Sequence, residues 1–182
     1  AVDNPKKPFV AILGGAKVSD KIGVIRNLLQ KADTLLIGGG MANTFFQAQG
    51  YALGDSLVEP EAIDTAKELL KLGSGKLHLP VDVVIADKFE DSAQKKIQPV
   101  GDVPSGWRVL DIGPETIKLF NRFIAEAGTV VWNGPMGVFE FPNFAVGTFE
   151  IAKAVASSKA VSVIGGGDSV AAVTQAGVAE KI

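Results

Sequence analysis

The chain contains no cysteine. Disulfide staples, thiolate metal sites and cysteine nucleophiles are therefore excluded together, and the composition fits a reducing compartment. Histidine occurs once, as His78 within Leu77-His78-Leu79-Pro80. A serine-histidine relay would have to use it, and no neighbouring motif supports one, so an ordinary structural histidine is expected. No apolar run approaches the ~20 residues needed to cross a bilayer, and Ala1-Val2-Asp3-Asn4-Pro5 resembles no signal peptide. Runs of like charge are missing too, because 18 basic and 20 acidic residues are dispersed to a net charge of -2. Neither a nucleic acid backbone nor a membrane surface is an expected partner. Two phosphate signatures are also absent: no Gly-x-x-x-x-Gly-Lys-Ser/Thr occurs, and no glycine cluster completes Gly-x-Gly-x-x-Gly or Ala. At Gly165-Gly166-Gly167-Asp168-Ser169-Val170 the sixth position is valine. These gaps argue against a P-loop NTPase and weaken a dinucleotide-oxidoreductase reading.

What is present is apolar and glycine-rich. A chain of 182 residues that is 47% apolar can bury one sizeable core, hiding roughly 70% of its unfolded surface. One compact domain over residues 1–182 is expected. The 21 glycines exceed an average share of ~7% without any repeat or low complexity.

Short apolar runs alternate with helical periodicity. Phe9 to Leu13 ends in Gly14-Gly15, and from Ser19 to Lys31 the apolar residues Ile22, Ile25, Leu28 and Leu29 recur at helical spacing. Thr34 to Ile37 runs into Gly38-Gly39-Gly40, a helical stretch from Ala42 to Gln49 and a second helix from about Glu61 to Leu72. Val81 to Ala86 reads as a strand. Val109 to Ile112 leads into Gly113-Pro114 and a helix to Ala127, with proline near the first helical position, where its missing N–H is harmless. Thr129 to Trp132 precedes Asn133-Gly134-Pro135 and a helix from Ala145 to Ala156. Val161 to Ile164 precedes Gly165-Gly166-Gly167 and a last helix to Ala176. Almost wholly apolar strands alternating with helices predict a doubly wound, Rossmann-like α/β domain of three layers, with a mainly parallel sheet of about six strands.

Five strands end in glycine, and in one parallel sheet all five would share the carboxyl edge, where open α/β sheets bind ligands. Glycine there lets backbone approach a ligand and leaves helix N-terminal amides free for an anion. Tight turns alone also need glycine, so the argument rests on the five clusters together. Lys17 and Lys21 are four apart, so a helix beginning near Ala16 would place both on one face close to its N-terminus. Cations oppose the helix dipole there, an arrangement that makes sense if a polyphosphate arrives between them. Asp168 and Ser169 open the final helix as ordinary N-cap types, or as a magnesium ligand and a phosphate donor. Asn133 to Glu140 is long and irregular for a strand-to-helix connection, as site-lining loops often are.

Five segments resemble phosphoglycerate kinase motifs in the order of that family. They are Gly14-Gly15-Ala16-Lys17-Val18-Ser19-Asp20-Lys21, Gly38-Gly39-Gly40-Met41-Ala42, Asp111-Ile112-Gly113-Pro114, Val131 to Glu140, and Ile164-Gly165-Gly166-Gly167-Asp168-Ser169. The resemblance implies reversible phosphate transfer from 1,3-bisphosphoglycerate to MgADP, giving ATP and 3-phosphoglycerate, in a cytoplasmic, monomeric enzyme of glycolysis. It implies that Lys17 meets the phosphoryl group in flight and Lys21 a nucleotide phosphate. Asp168 would hold Mg2+; Gly166, Gly167, Ser169 and Asn133 would hold phosphates; Glu140 would hold the ribose hydroxyls. Gly14, Gly15, Gly39, Leu57, Leu110, Pro135 and Val138 would line an adenine slot, with Val109 standing where some relatives have glycine. In the family the phosphoglycerate site belongs to a separate N-terminal domain, and the sequence continues beyond the equivalent of Ile182. Arg26, Arg108 and Arg122 are scattered here, with no cluster to grip a bisphosphorylated acid. The expectation is therefore a nucleotide-binding half with little or no activity alone.

Overall fold

A computed structural model describes residues 5–175 and 177, apart from the side chains of residues 167–169 and 175. Five strands form one parallel sheet in the order β3-β2-β1-β7-β8: β1 is Phe9–Leu13, β2 Thr34–Ile37, β3 Leu77–His78, β7 Thr129–Asn133 and β8 Val161–Gly165. The order reverses at β1, which pairs with β2 on one side and β7 on the other. Every residue of β1 is buried because both sheet faces are covered. Phe9, Ala11 and Leu13 face a core shared with Ile25, Leu29, Phe45 and Leu69. Val10 and Ile12 face a second core with Phe120, Ile124, Trp132 and Ile151. The period-2 alternation of a strand sends successive apolar side chains into opposite layers. Each large one contributes about 1.5–3 kcal/mol on burial, so Ile12→Asp would open the core beneath β7.

The helices of the first layer are α1 (Ile22–Lys31), α2 (Gly40–Ala48) and α3 (Ile63–Leu72); those of the second are α4 (Pro114–Glu126) and α5 (Val146–Ser157), and α6 (Gly167–Gln175) follows β8. In α4, Thr116, Phe120 and Ile124 recur every fourth residue and form the buried stripe. Pro114 occupies the first turn, and Asp82 accepts the N–H groups of Glu115 at 3.0 Å and Thr116 at 2.8 Å, satisfying two helix-end donors.

Two expectations need correction. The strands β4 (Asp82–Ala86) and β6 (Arg108–Ile112) do not join the parallel sheet. With β5 (Lys95–Pro99) they form a separate antiparallel sheet, β5-β4-β6, so the main sheet has five strands. Gly113 consequently does not share the edge of the other glycine clusters, and a Cβ there would collide with the Asp82 carboxylate. In addition, α1 begins at Ile22 and not near Ala16. Lys21 is its N-cap residue and Lys17 lies in the preceding loop, so the two lysines do not share a helical face. Among the described residues, no helix is long and apolar enough to cross a membrane.

Candidate functional site

The turns after β1, β2 and β7 interlock at the carboxyl edge of the sheet. Gly14 and Gly15 donate their N–H groups to the carbonyls of Asn133 at 2.9 Å and Pro135 at 3.1 Å, and Gly39 donates to Met136 O at 3.1 Å. A Cβ on Gly14 would collide with the carbonyls of Gly134 and Pro135, and one on Gly134 with Gly14. Gly39 has φ 72°, a left-handed conformation that glycine adopts without strain. Gly14 and Gly134 therefore have a packing reason for being glycine. Gly15 differs, because no atom lies within 4 Å of the position its Cβ would take, and it faces open space.

That space is a cleft of about 720 Å³. Its lining includes Gly15, Gly39, Leu57, Val109, Leu110, Pro135 to Val138 and Glu140, with Val138 N–H donating to Leu110 O at 2.9 Å. Of the seven residues expected in a base slot, the structure brings six into this lining; Gly14 lies behind it, holding the turns together. The wall of residues 55–57 is tied to β6 by an Arg108–Asp55 ion pair at 3.2 Å and by Val109 N–H donating to Ser56 Oγ at 2.9 Å. Asn43 Nδ2 donates to Leu57 O at 3.1 Å, and the buried Asn43 Oδ1 has no partner among the described residues.

The cationic end adjoins Gly14. Lys21 Nζ donates to Asn133 Oδ1 at 2.7 Å, joining the start of α1 to the end of β7 across 112 residues of sequence. Partial burial lowers the pKa of Lys21, with Asp20 acting the other way. Asn133 in turn abuts the turn after β8: a Cβ on Gly166 would come within 2.8 Å of its Oδ1. Lys21, Asn133 and Gly166 are thus together, at the first turn of α6. The α6 backbone begins at Gly167; the Gly167, Asp168 and Ser169 side chains lie outside those described. Lys17 is exposed.

Two acidic residues had escaped functional notice in the sequence. Asp111 lines the cleft and is 2% exposed. Burial pushes its carboxyl up to about 8, against hydrogen bonds from the Gly147 and Ile112 amides at 3.0 and 2.9 Å and the charge of Lys95. Its place in Asp111-Ile112-Gly113-Pro114 was visible, but its burial depends on Gly137 and Gly147, either of which would crowd it if it carried a Cβ. Glu59 is 6% exposed and accepts both the hydroxyl and the amide of Ser19, at 2.6 and 3.1 Å. No local pattern links residues 40 apart.

A parallel sheet whose order reverses at β1, with a cleft and a lysine-asparagine pair at its carboxyl edge, defines a doubly wound α/β domain. Comparison with known proteins narrows the class. The family model for phosphoglycerate kinase matches residues 1–182, and the chain belongs to that family. It is 59% identical to a phosphoglycerate kinase from Roseiflexus sp. (strain RS-1) and 58% identical to one from Limosilactobacillus reuteri, each over 100% of this chain but only 47% and 45% of the relative. The structure of phosphoglycerate kinase from Coxiella burnetii superposes with a TM-score of 0.96 at 44% identity, over 100% of this chain and 48% of that one. The enzyme from Pyrococcus horikoshii OT3 gives 0.82 at 33% identity, over 93% of this chain and 44% of that one. The chain spans about half the length of the relatives it matches.

Proposed function

We propose that this chain is the adenine-nucleotide-binding half of a phosphoglycerate kinase. The observation that carries the proposal is the adjacency of an apolar, glycine-walled cleft to the Lys21-Asn133 pair and the first turn of α6. A base enters the slot lined by Gly15, Gly39, Leu57, Leu110, Pro135 and Val138, and Glu140 receives the ribose hydroxyls. The phosphates then run toward Lys21, Asn133 and the amides of Gly166, Gly167 and Ser169, where the N-terminus of α6 favours negative charge.

The reaction of the whole enzyme is reversible transfer of the acyl phosphate of 1,3-bisphosphoglycerate to ADP. The group in flight carries negative charge on three oxygens and requires positioning and positive charge more than covalent help. Lys17, exposed in its loop, meets that group, while Lys21 holds nucleotide phosphate, and both act by fixed electrostatics. Mg2+ takes one or two carboxylates plus substrate phosphates, a requirement that fits residue 168 in the first turn of α6 directly beyond β8. Asp168 would hold the ion, which neutralises phosphate charge when bound with nucleotide. The phosphoglycerate site and its basic residues belong to the remaining length of the family's proteins, so this chain alone binds nucleotide with little or no turnover.

Calorimetric titration with MgADP tests the proposal. Saturable binding, weakened by both Lys21→Ala and Asp168→Ala, is expected; absence of binding by the folded chain would refute it. Kinase turnover by the chain alone at the rate of a full-length enzyme would refute the division of labour.

A further inference from the structure

Glu59 lies in none of the segments assigned to the nucleotide, yet its contacts reach both the cleft wall and the lysine loop. Oε2 accepts Ser19 Oγ–H at 2.6 Å and Oε1 accepts Ser19 N–H at 3.1 Å. Its own N–H donates to Thr44 Oγ1 on α2 at 3.1 Å. Thr44 is fully buried, and its neighbour Asn43 holds the carbonyl of Leu57 two residues before Glu59. Residues 57–59 are therefore pinned to α2 at both ends, with Leu57 in the cleft lining and Glu59 gripping Ser19. Burial acts to raise the carboxyl's pKa; the Ser19 hydroxyl, the Ser19 and Val18 backbone and the charge of Lys17 outweigh it and hold it below the ordinary value.

The start of α1 gives these contacts their meaning. Helical spacing reads from Ser19, and a helix reaching back to Ala16 would carry both lysines on one face, whereas α1 begins at Ile22. Ser19 sits between these limits and is drawn out to Glu59, while Val18 is fully buried beside it. Lys17 makes no hydrogen bond among the described residues and its charge acts on Glu59, so its place is set by the loop that carries it and by that carboxylate. From this geometry we infer that Glu59 is a positioning residue: by gripping Ser19 it holds residues 16–20 out of α1 and sets where Lys17 stands relative to the terminal phosphate of a nucleoside triphosphate. The inference rests on the proposed nucleotide site. Acting only as a charge, Glu59 would oppose an anion, and its removal would strengthen binding of the more highly charged nucleotide. Acting as a positioning residue, its removal does the opposite.

The experiment is calorimetric titration of the wild-type chain, Glu59→Ala, Ser19→Ala and the double variant with MgATP, MgADP and adenosine. Glu59→Ala is expected to lower the ratio of MgATP to MgADP affinity about tenfold, the loss that follows removal of one charge-assisted phosphate contact. Adenosine affinity should hold. Ser19→Ala, which keeps the backbone donor to Glu59, should lower the ratio less, and the double variant no more than Glu59→Ala. A ratio that is unchanged or raised in both single variants overturns the inference, as does an equal loss for all three ligands. If Glu59→Ala does not fold, the Ser19→Ala ratio alone decides. Wild type that binds neither nucleotide overturns the proposed function, and the inference with it; wild type that binds both with a ratio insensitive to these changes overturns the inference alone.

Discussion

Lys21→Met separates what Lys21 contributes to the fold from what it contributes to a ligand. In the folded chain its Nζ lies 2.7 Å from Asn133 Oδ1, and partial burial works against its charge. Methionine keeps most of the apolar stem and removes the ammonium. The lost hydrogen bond costs about 1.5–3 kcal/mol at most, but removing a partly desolvated charge offsets much of that. The net change in unfolding free energy should stay within about 1 kcal/mol, read from urea denaturation. Affinity has no such offset, since a phosphate that met an ammonium now meets a thioether. The same 1.5–3 kcal/mol appears in full and weakens MgADP binding roughly 10- to 150-fold. The salt dependence of binding should flatten, because one screened charge contact has gone. Binding within twofold of wild type with an unaltered salt dependence would refute the placement of phosphate beside Lys21. A stability loss matching the affinity loss would refute the separation.

Three further outcomes follow from the geometry. Asp111 has a folded pKa of about 8 against 3.8 for the free side chain, so the unfolded chain ionises first and stability falls as pH rises through that window; Asp111→Asn should gain stability relative to wild type as pH rises from 5 to 9, and an unchanged difference would refute its neutrality. Gly14→Ala places a Cβ against the backbone carbonyls of Gly134 and Pro135, which cannot rotate away, and should destabilise by about 2–3 kcal/mol with a lowered Tm; a stability equal to wild type would refute the interlock. Asp82→Ala strips two amides of their acceptor and leaves the Thr116 hydroxyl only the backbone carbonyl of residue 82, and should cost about 2–3 kcal/mol in urea, whereas a loss under 0.5 kcal/mol would show that α4 is capped by other means.

The strands β1, β2, β7 and β8 were legible because each is a short apolar run ending in a glycine turn, whereas the two-residue β3 at Leu77–His78 carries no such signal; Pro114 marks the start of α4 within a residue. The second sheet was not legible. β4 and β6 are apolar runs like the others, and an apolar run carries no sign of parallel or antiparallel pairing. Their partner β5, with Lys95, Lys96 and Gln98, is mostly exposed and reads as a polar loop. The start of α1 was misplaced for a different reason: the contact that ends the helix joins Ser19 to Glu59, 40 residues away, and no window of helical length contains both. The cleft was legible as a set of glycines but not as a division of labour. Gly15 borders the space, while Gly14 and Gly134 keep neighbouring turns in contact, a distinction set by three segments that meet only in the folded chain.

The central place of β1 governs how the chain can assemble. Phe9 pairs with Thr129 and Leu13 with Asn133, so one side of the first strand waits for a partner made about 120 residues later. At ~5–20 residues per second, synthesis leaves that interval at roughly 6–24 s. Throughout it, Phe-Val-Ala-Ile-Leu presents an unpaired, uncharged edge, the kind of template onto which another nascent chain can add a strand. The strand that organises the finished cleft is also where premature association would begin.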